Sequence, residues 1–203
     1  MALVRGVIPA GLSLLVVDAT QNQKGFEYAM SKDIFSALQS AHVPLAYPQL
    51  LRPASLGDVV RELSREFTAL LYIAHGRGSR DNDAALIQAG DSITSWYMLK
   101  ETGINFNDRF VSLCVCEGYC EDMVEAVVKS HVFANTVVGS QKTLLASEAR
   151  AFFPAFYKSL LGLTEAVIDP DIIREKVQEN NHLAADKMVT FSFGCSSGAS
   201  SLS

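Results

Sequence analysis

The sequence lacks the short motifs that would assign it at once to a large enzyme class. Residues 1–193 contain no Gly-x-Ser-x-Gly elbow, and the chain has no Gly-x-Gly-x-x-Gly fingerprint and no phosphate-binding loop. These absences weaken an interpretation as a flavodoxin-like or hydrolase-like domain. Long hydrophobic runs are missing too, since Leu12–Val17 and Ala69–Ala74 fall well short of the roughly 20 residues that cross a bilayer. We therefore expect no membrane partner.

Clusters of positive charge are also missing. Seventeen Lys and Arg residues are scattered among 22 Asp and Glu residues, for a net charge of −5. This balance argues against direct binding to nucleic acid. The N-terminal segment is weakly basic and apolar but lacks a clear small-residue cleavage site, so no signal peptide is expected. With 203 residues, 49% of them apolar, we expect one domain over residues 1–203, with a disordered polar tail at 195–203.

Cysteine is scarce and unevenly placed. Three of the four cysteines, Cys114, Cys116 and Cys120, lie within seven residues, and Cys195 lies in the tail. This clustering is unlike a disulfide scaffold and indicates a reduced, cytoplasmic compartment with a thiol nucleophile or a metal site. The metal alternative is weak, because no second ligand pair follows at zinc-finger spacing and His131 lies eleven residues beyond Cys120. We expect neither a metal nor a cofactor.

Strand-length apolar runs alternate with amphipathic segments, which predicts an α/β fold with a mostly parallel sheet between helices. The predicted strands are Leu12–Asp18, Val43–Tyr47, Ala69–Ala74, Phe110–Cys116, Thr136–Gly139 and Met188–Phe193. The predicted helices are Phe26–Ser40, Leu56–Glu66 with Ser55 as cap, a segment from Asp91 to Gly103, Glu121–Ser130, Ala146–Leu161 and Ile172–Lys187. Pro154 predicts a kink or a break in the fifth helix. The segment Gly76–Asp91 is predicted to be a long loop that carries function.

Ligands of open α/β sheets bind beyond the carboxyl ends of the strands, where His75 and Cys116 are predicted to lie. If their strands are neighbours, the imidazole can accept the thiol proton, and the resulting thiolate is the nucleophile. The amide of Gly76 is a candidate oxyanion donor. Packing as a small hydrophobe is the alternative for free cysteines; we favour it for Cys114, and we interpret Cys120 as structural or incidental.

These same residues carry a resemblance to a known family. Tyr72–Gly76 and Val111–Gly118 resemble the histidine-glycine and cysteine motifs of caspase-like peptidases, especially the bacterial CHAT branch. Val137–Ser140 and Phe156–Leu161 are similar to the fifth strand of that branch and the helix after it, and Val189–Gly194 is similar to its closing strand.

The resemblance covers residues 12 to 194 and implies a caspase-like three-layer sandwich with a six-stranded sheet. It also implies a cysteine endopeptidase with His75 as base, Cys116 as nucleophile and an oxyanion site at Gly76. Two features depart from the family pattern: Val115 and Glu117 flank the cysteine, and Cys114 stands where some relatives carry an acid that binds a basic P1 side chain. Asp18 is the remaining candidate for an acidic S1 pocket, and an ordinary turn residue is the alternative.

Two functions follow from this resemblance. The first is a regulated bacterial effector in antiviral defence or signalling, which cleaves a protein or peptide substrate after activation by a partner protein or ligand. The second is a catalytically inactive caspase-like module that binds another protein, for which the flanks of Cys116 are the motivation.

Overall fold

Parallel strands form the centre of the computed structural model, which describes residues 11–20, 26–77, 86–95, 109–117, 136–161 and 169–192. The strands of these ranges are β1 (Leu14–Asp18), β2 (Ala69–Ile73), β3 (Gly76–Arg77), β4 (Leu86–Ala89), β5 (Ser92–Ser95), β6 (Phe110–Cys114), β7 (Thr136–Ser140) and β8 (Met188–Ser192). The helices are α1 (Phe26–Ser40), α2 (Leu56–Leu63), α3 (Ala146–Leu160) and α4 (Pro170–Asn180), and a 3-10 turn follows at Asn181–Ala184.

The central sheet has the order β1-β2-β6-β7-β8. The first four strands are parallel and every residue in them is buried, as expected for strands covered on both faces. Strand β8 closes the sheet antiparallel to β7. Parallel pairing brings the carboxyl ends of β1, β2, β6 and β7 to one edge of the sheet.

Side chains of the central strands alternate between two hydrophobic cores. Leu71 and Ile73 of β2 pack into the first core with Ile34 of α1 and Phe152 of α3, whereas Leu70 and Tyr72 of the same strand pack into the second. The second core also contains residues of α2 and β4. Helices α1, α3 and α4 therefore cover one face, and α2 with the small sheet covers the other. This arrangement confirms the predicted three-layer α/β fold.

The predicted strand Val43–Tyr47 is wrong as a regular strand. Leu45 of this segment and Leu51 beyond it contact the edge of β1 only through isolated bridges, to Leu14 and Val17, so the described central sheet has five strands rather than six. Proline explains the interruption, because Pro44 and Pro48 have no N–H to donate to a ladder. The segment still protects the outer edge of β1 from pairing with another chain.

The interpretation of Gly76–Asp91 as an unstructured loop is also wrong in part. Strands β3, β4 and β5 form a second, antiparallel sheet in the order β3-β4-β5, and β5 occupies the start of the predicted helix after Asp91. The rest of that helix and the helix Glu121–Ser130 lie outside the described residues. Gly90, with φ of 64°, opens the two-residue turn between β4 and β5, a role for which glycine has no steric penalty.

Two helix predictions need smaller corrections. Helix α3 runs through Pro154 without a break, and the buried side chains of Phe153 and Tyr157 on either side hold it to the first core. The last helix begins at Pro170, with Asp169 as its cap, and ends at Asn180 rather than at Lys187. Among the described residues, none of the helices is long and apolar enough to cross a membrane.

Candidate active site

His75 and Cys116 lie at matching positions beyond two neighbouring strands. Strands β2 and β6 pair in parallel with Ile73 opposite Cys114, and His75 and Cys116 each follow two residues later. The two chains stay together past the strand ends, since the Ala74 N–H donates to the Cys114 carbonyl at 3.3 Å. The side chains of Ile73 and Cys114 face the first core, so the alternation of the strands directs His75 and Cys116 toward the same face.

Both residues line one cavity of about 150 Å³, which we call the dyad cavity. Its described lining consists of Thr20, Met30, Ala74, His75, Cys114, Val115, Cys116, Leu144, Ala146 and Ala149. The walls thus come from the end of β1, from α1, from the start of α3 and from the loops after β2 and β6. The structure brings the two predicted residues to one cavity.

The two thiols of this region have different environments. The side chain of Cys116 is half-buried, and its Sγ–H donates to the carbonyl oxygen of Leu144 at 3.7 Å. Cys114 is buried in the first core, and burial raises the pKa of its thiol far above the ordinary value, with smaller effects from Cys116 and Asp18. Cys114 is therefore an uncharged packing residue, which confirms the interpretation made from the sequence. Cys120 and Tyr119 lie outside the described residues.

Gly76 is the point of closest approach between the two motifs. A Cβ at this position would overlap the Cγ1 methyl of Val115 and would lie 3.1 Å from the carbonyl oxygen of Leu86 and 3.5 Å from that of Cys116. Only a residue without a side chain fits this space. The backbone of β3 therefore passes directly beside the loop that carries Cys116.

The chain turns sharply after Cys116. Glu117 has φ of 52°, in the left-handed region that few residues other than glycine occupy, and its N–H donates to the Lys142 carbonyl at 3.2 Å. Backbone strain of this kind clusters at functional sites. The hydrogen bond joins the cysteine loop to the segment before α3, so the two walls of the dyad cavity are connected.

Asp18 ends β1 on the same edge of the sheet, opposite Ile73. Its side chain is 0% exposed and accepts hydrogen bonds from the Thr20 N–H at 3.0 Å and from the Thr20 hydroxyl. Its second carboxylate oxygen pairs with Nε of Arg52 at 3.0 Å. The structure places Asp18 near the dyad cavity but with its carboxylate occupied within the chain.

A second depression extends from His75 along the small sheet. This open groove has a volume of about 650 Å³ and is lined, among the described residues, by His75, Gly76, Leu86, Ile87, Gln88 and Ile93. Ile93 on β5 is 73% exposed. The groove offers an apolar surface next to the proposed base, large enough for an extended peptide segment.

Three contributors to the site were missed from the sequence: Arg52, Leu144 and Ile93. Arg52 meets Asp18 across 34 residues of sequence, and no local pattern signals such a pairing. The exposed Ile93 in a period-two segment after a Gly-Asp turn was a hairpin signal that could have identified β5. In the part of the chain that the structure describes, no three His, Cys, Asp or Glu residues are grouped as metal ligands.

Among known proteins, the fold around this site is similar to that of solved cysteine proteinase structures. The chain matches no protein-family model and no curated protein sequence. It is similar to the crystal structure of the Arg-specific cysteine proteinase gingipain R, with a TM-score of 0.55 and 10% identity over 89% of this chain and 46% of that one. The complex of the pro- and mature domains of Porphyromonas gingivalis RgpB gives a TM-score of 0.54 and 10% identity over 93% and 48% of the two chains. The chain has a caspase-like fold.

The caspase-like fold explains why the two motifs meet. In it, the carboxyl ends of β2 and β6 share one edge of the sheet, with the apolar groove on one side and the dyad cavity on the other. The chain spans less than half the length of the two gingipain chains it resembles.

Proposed function

We propose that this chain is a caspase-like cysteine endopeptidase with His75 and Cys116 as its catalytic dyad. The observation that carries the proposal is that both side chains line the dyad cavity from matched positions beyond β2 and β6. The thiol of Cys116 is half-buried, whereas the neighbouring Cys114 is buried in the first core and only 5% exposed. The similarity in fold to cysteine proteinases supports the same chemistry.

The reaction follows from the nucleophile and the base. His75 accepts the thiol proton, and the Cys116 sulfur attacks the carbonyl carbon of the substrate peptide bond. As the C–N bond breaks, His75 returns the proton to the leaving amine, and a thioester remains on the enzyme. Water, deprotonated by His75, then attacks the thioester carbonyl, which releases the carboxylate product and restores the thiol.

The backbone supplies the remaining parts of the site. The N–H groups of Gly76 and Cys116 are the proposed oxyanion donors, because the two segments approach closely at this point. Asp18, which ends β1 just before Thr20 of the dyad cavity, is proposed to shape the substrate-binding wall. The apolar groove beside β5 is the proposed site for the substrate on the other side of His75.

The biological setting is proposed from the CHAT-like motifs of the sequence. They support a regulated cytoplasmic effector in bacterial defence, including antiviral defence, or in signalling. The hydrogen bond from Cys116 to Leu144 supports regulation, because it must break before the thiol gives its proton to His75. An activating partner protein or ligand would favour the state in which this hydrogen bond is broken.

Mutation of the dyad tests the proposal. Cys116→Ala and His75→Ala should each lower kcat/KM for a cleaved peptide by about 1,000-fold or more, since each removes a reacting group. Peptide libraries incubated with the full chain, with product termini read by mass spectrometry, provide the measurement.

The matched controls are Cys195→Ala and His182→Ala. Cys195 lies far along the chain from both motifs, and His182 is an exposed residue of the 3-10 turn. Both should cleave as the parent chain does. Unchanged cleavage by Cys116→Ala would refute the proposed nucleophile.

A non-catalytic module that binds another protein is the second candidate function. The contact between the Cys116 thiol and the Leu144 carbonyl favours it, because in this contact the thiol donates to the backbone of the chain itself. An electrophilic thiol probe separates the two functions. Rapid labelling of Cys116 that requires His75 supports the enzyme, and slow labelling that is indifferent to His75→Ala supports the module.

A further inference from the structure

The described lining of the dyad cavity is uncharged apart from the proposed dyad itself. Its other described walls are Thr20, Met30, Ala74, Cys114, Val115, Leu144, Ala146 and Ala149. A cavity of this size, about 150 Å³, accommodates a group about as large as benzene when its walls are apolar. The volume and the lining both suit a medium-sized side chain without charge.

The acidic group at the end of β1 is occupied. The Asp18 carboxylate is fully buried and bonded to Arg52 and to two donors of Thr20. Arg52 is itself held on further sides, since its Nη2 donates to the Thr20 carbonyl at 3.4 Å and its Cζ lies 4.3 Å from the centre of the Tyr28 ring. A cationic side chain of a substrate would therefore have to displace the guanidinium to reach this carboxylate.

Displacement of that kind is unfavourable. Arg52 is positioned by the fold, whereas a substrate lysine or arginine must first lose its hydration in a small apolar cavity. Because the Arg52 guanidinium neutralises Asp18, the carboxylate offers an incoming cation no net attraction that would offset this loss. A neutral side chain does not meet this cost.

We infer that the dyad cavity binds an uncharged, medium-sized P1 side chain such as Leu or Met, and that Arg52 determines this specificity by neutralising Asp18. The inference rests on the proposed peptidase function. It differs from the expectation that a carboxylate at the end of β1 favours a basic P1 residue, because the ion pair across 34 residues is invisible in the sequence.

The test compares peptides that differ only at P1. The full chain should cleave a Leu or Met peptide with kcat/KM at least tenfold above that for the Lys or Arg peptide. Arg52→Gln exposes the Asp18 charge to the substrate and should raise the relative kcat/KM for Lys or Arg at least tenfold. The double variant Arg52→Gln with Asp18→Asn should lose that gain. Arg61→Gln, an exposed arginine of α2, is the matched control and should keep the parent ratio.

A covalent readout keeps the test independent of turnover. Peptidyl acyloxymethyl ketones with Leu or Lys at P1 react with an active-site thiolate, and their attachment to Cys116 is measured by mass spectrometry. Faster reaction of the Leu probe supports the inference. Faster reaction of the Lys probe overturns it while the peptidase function stands. The same holds if Arg52→Gln reacts with the Leu and Lys probes at the rate ratio of the parent chain.

Two further outcomes are decisive. If no peptide is cleaved and neither probe modifies Cys116, the proposed function fails and the inference fails with it. If Arg52→Gln does not fold, as judged by circular dichroism, the P1 selectivity of the parent chain decides between the two specificities.

Discussion

At the scale of a single residue, Gly76 is where the backbone of the histidine motif packs against the cysteine motif. Gly76→Ala places a methyl group against the Cγ1 methyl of Val115, a buried residue that directly precedes Cys116. We expect kcat/KM to fall about tenfold or more, with a loss of about 1–3 kcal/mol in the free energy of unfolding from overpacking. Peptide cleavage and urea unfolding measure the two effects.

Gly57→Ala is the matched control for that substitution. Gly57 lies in α2, and an added Cβ has only the Ser55 hydroxyl oxygen near it, at 3.8 Å. The helix should gain up to about 1 kcal/mol, because alanine loses less backbone entropy than glycine. If both variants behave alike, the close contact at Gly76 has no role in the site.

Single residues also show where prediction from the sequence succeeds and where it does not. The positions of His75 and Cys116 at one edge of the sheet were predicted because strand ends are visible in the hydrophobic pattern and parallel neighbours share an edge. The chemistry of Asp18 was not found, because its partner Arg52 comes from a segment whose path depends on the folded sheet. Local sequence patterns predict where a residue lies along a helix or strand. Ion pairs between distant segments depend on the tertiary structure and cannot be predicted from such patterns.

The small sheet provides a prediction at the scale of an element. Ile93 on β5 is 73% exposed and lines the open groove, so its side chain is available to a peptide but contributes little to the core. Ile93→Ser should change the free energy of unfolding by less than about 0.5 kcal/mol. It should raise KM about threefold to tenfold through lost apolar contact with the substrate.

Leu161→Ser is the comparison for that variant. Leu161 is 37% exposed at the end of α3 and lines neither the groove nor the dyad cavity. Its KM should match that of the parent chain. A parent-like KM for Ile93→Ser would show that the peptide does not cross the groove.

Elements differ in how well the sequence predicts them. The fully buried strands β1, β2, β6 and β7 were predicted to within a few residues, because continuous runs of apolar residues have few alternatives in a domain of this size. The small sheet was interpreted as a loop because its strands are short and interrupted by polar residues. The segment of Val43–Tyr47 was assigned as a strand because its composition suits β structure, but its prolines permit only isolated bridges.

At the scale of the whole molecule, one ion pair connects the start of β8 to the start of α3. Lys187 Nζ lies 2.7 Å from both carboxylate oxygens of Glu148, and the Leu145 N–H donates to the same carboxylate at 2.7 Å. Burial alone would raise the pKa of the Glu148 carboxyl, but the hydrogen bonds from Lys187 and Leu145 prevail and lower it. The pair thereby fixes the segment that carries the Leu144 wall of the dyad cavity.

This arrangement predicts a dependence of stability on pH. A carboxyl with a lowered pKa in the folded state stabilises the protein above its unfolded pKa, and the contribution is lost as pH falls through the folded value. Glu148→Gln should therefore lower the free energy of unfolding by about 1 kcal/mol at pH 7 and by less at pH 3. Urea unfolding at the two pH values is the measurement.

Glu179→Gln is the control, since Glu179 forms an exposed pair with Lys176. An exposed pair contributes little, so this variant should stay within about 0.5 kcal/mol of the parent chain at pH 7. If both variants lose the same free energy of unfolding, the pairing of Glu148 in α3 with Lys187 before β8 adds no stability beyond that of an exposed pair.

The antiparallel direction of β8 has a practical consequence for handling the protein. Met188 lies opposite Ser140 at the edge that carries the proposed dyad, whereas Ser192 lies opposite Thr136, four residues away along the strand. Four residues of strand span about 13 Å, so β8 ends on the far side of the sheet. A label attached at Ser192 would therefore start from the edge of the sheet opposite to His75 and Cys116.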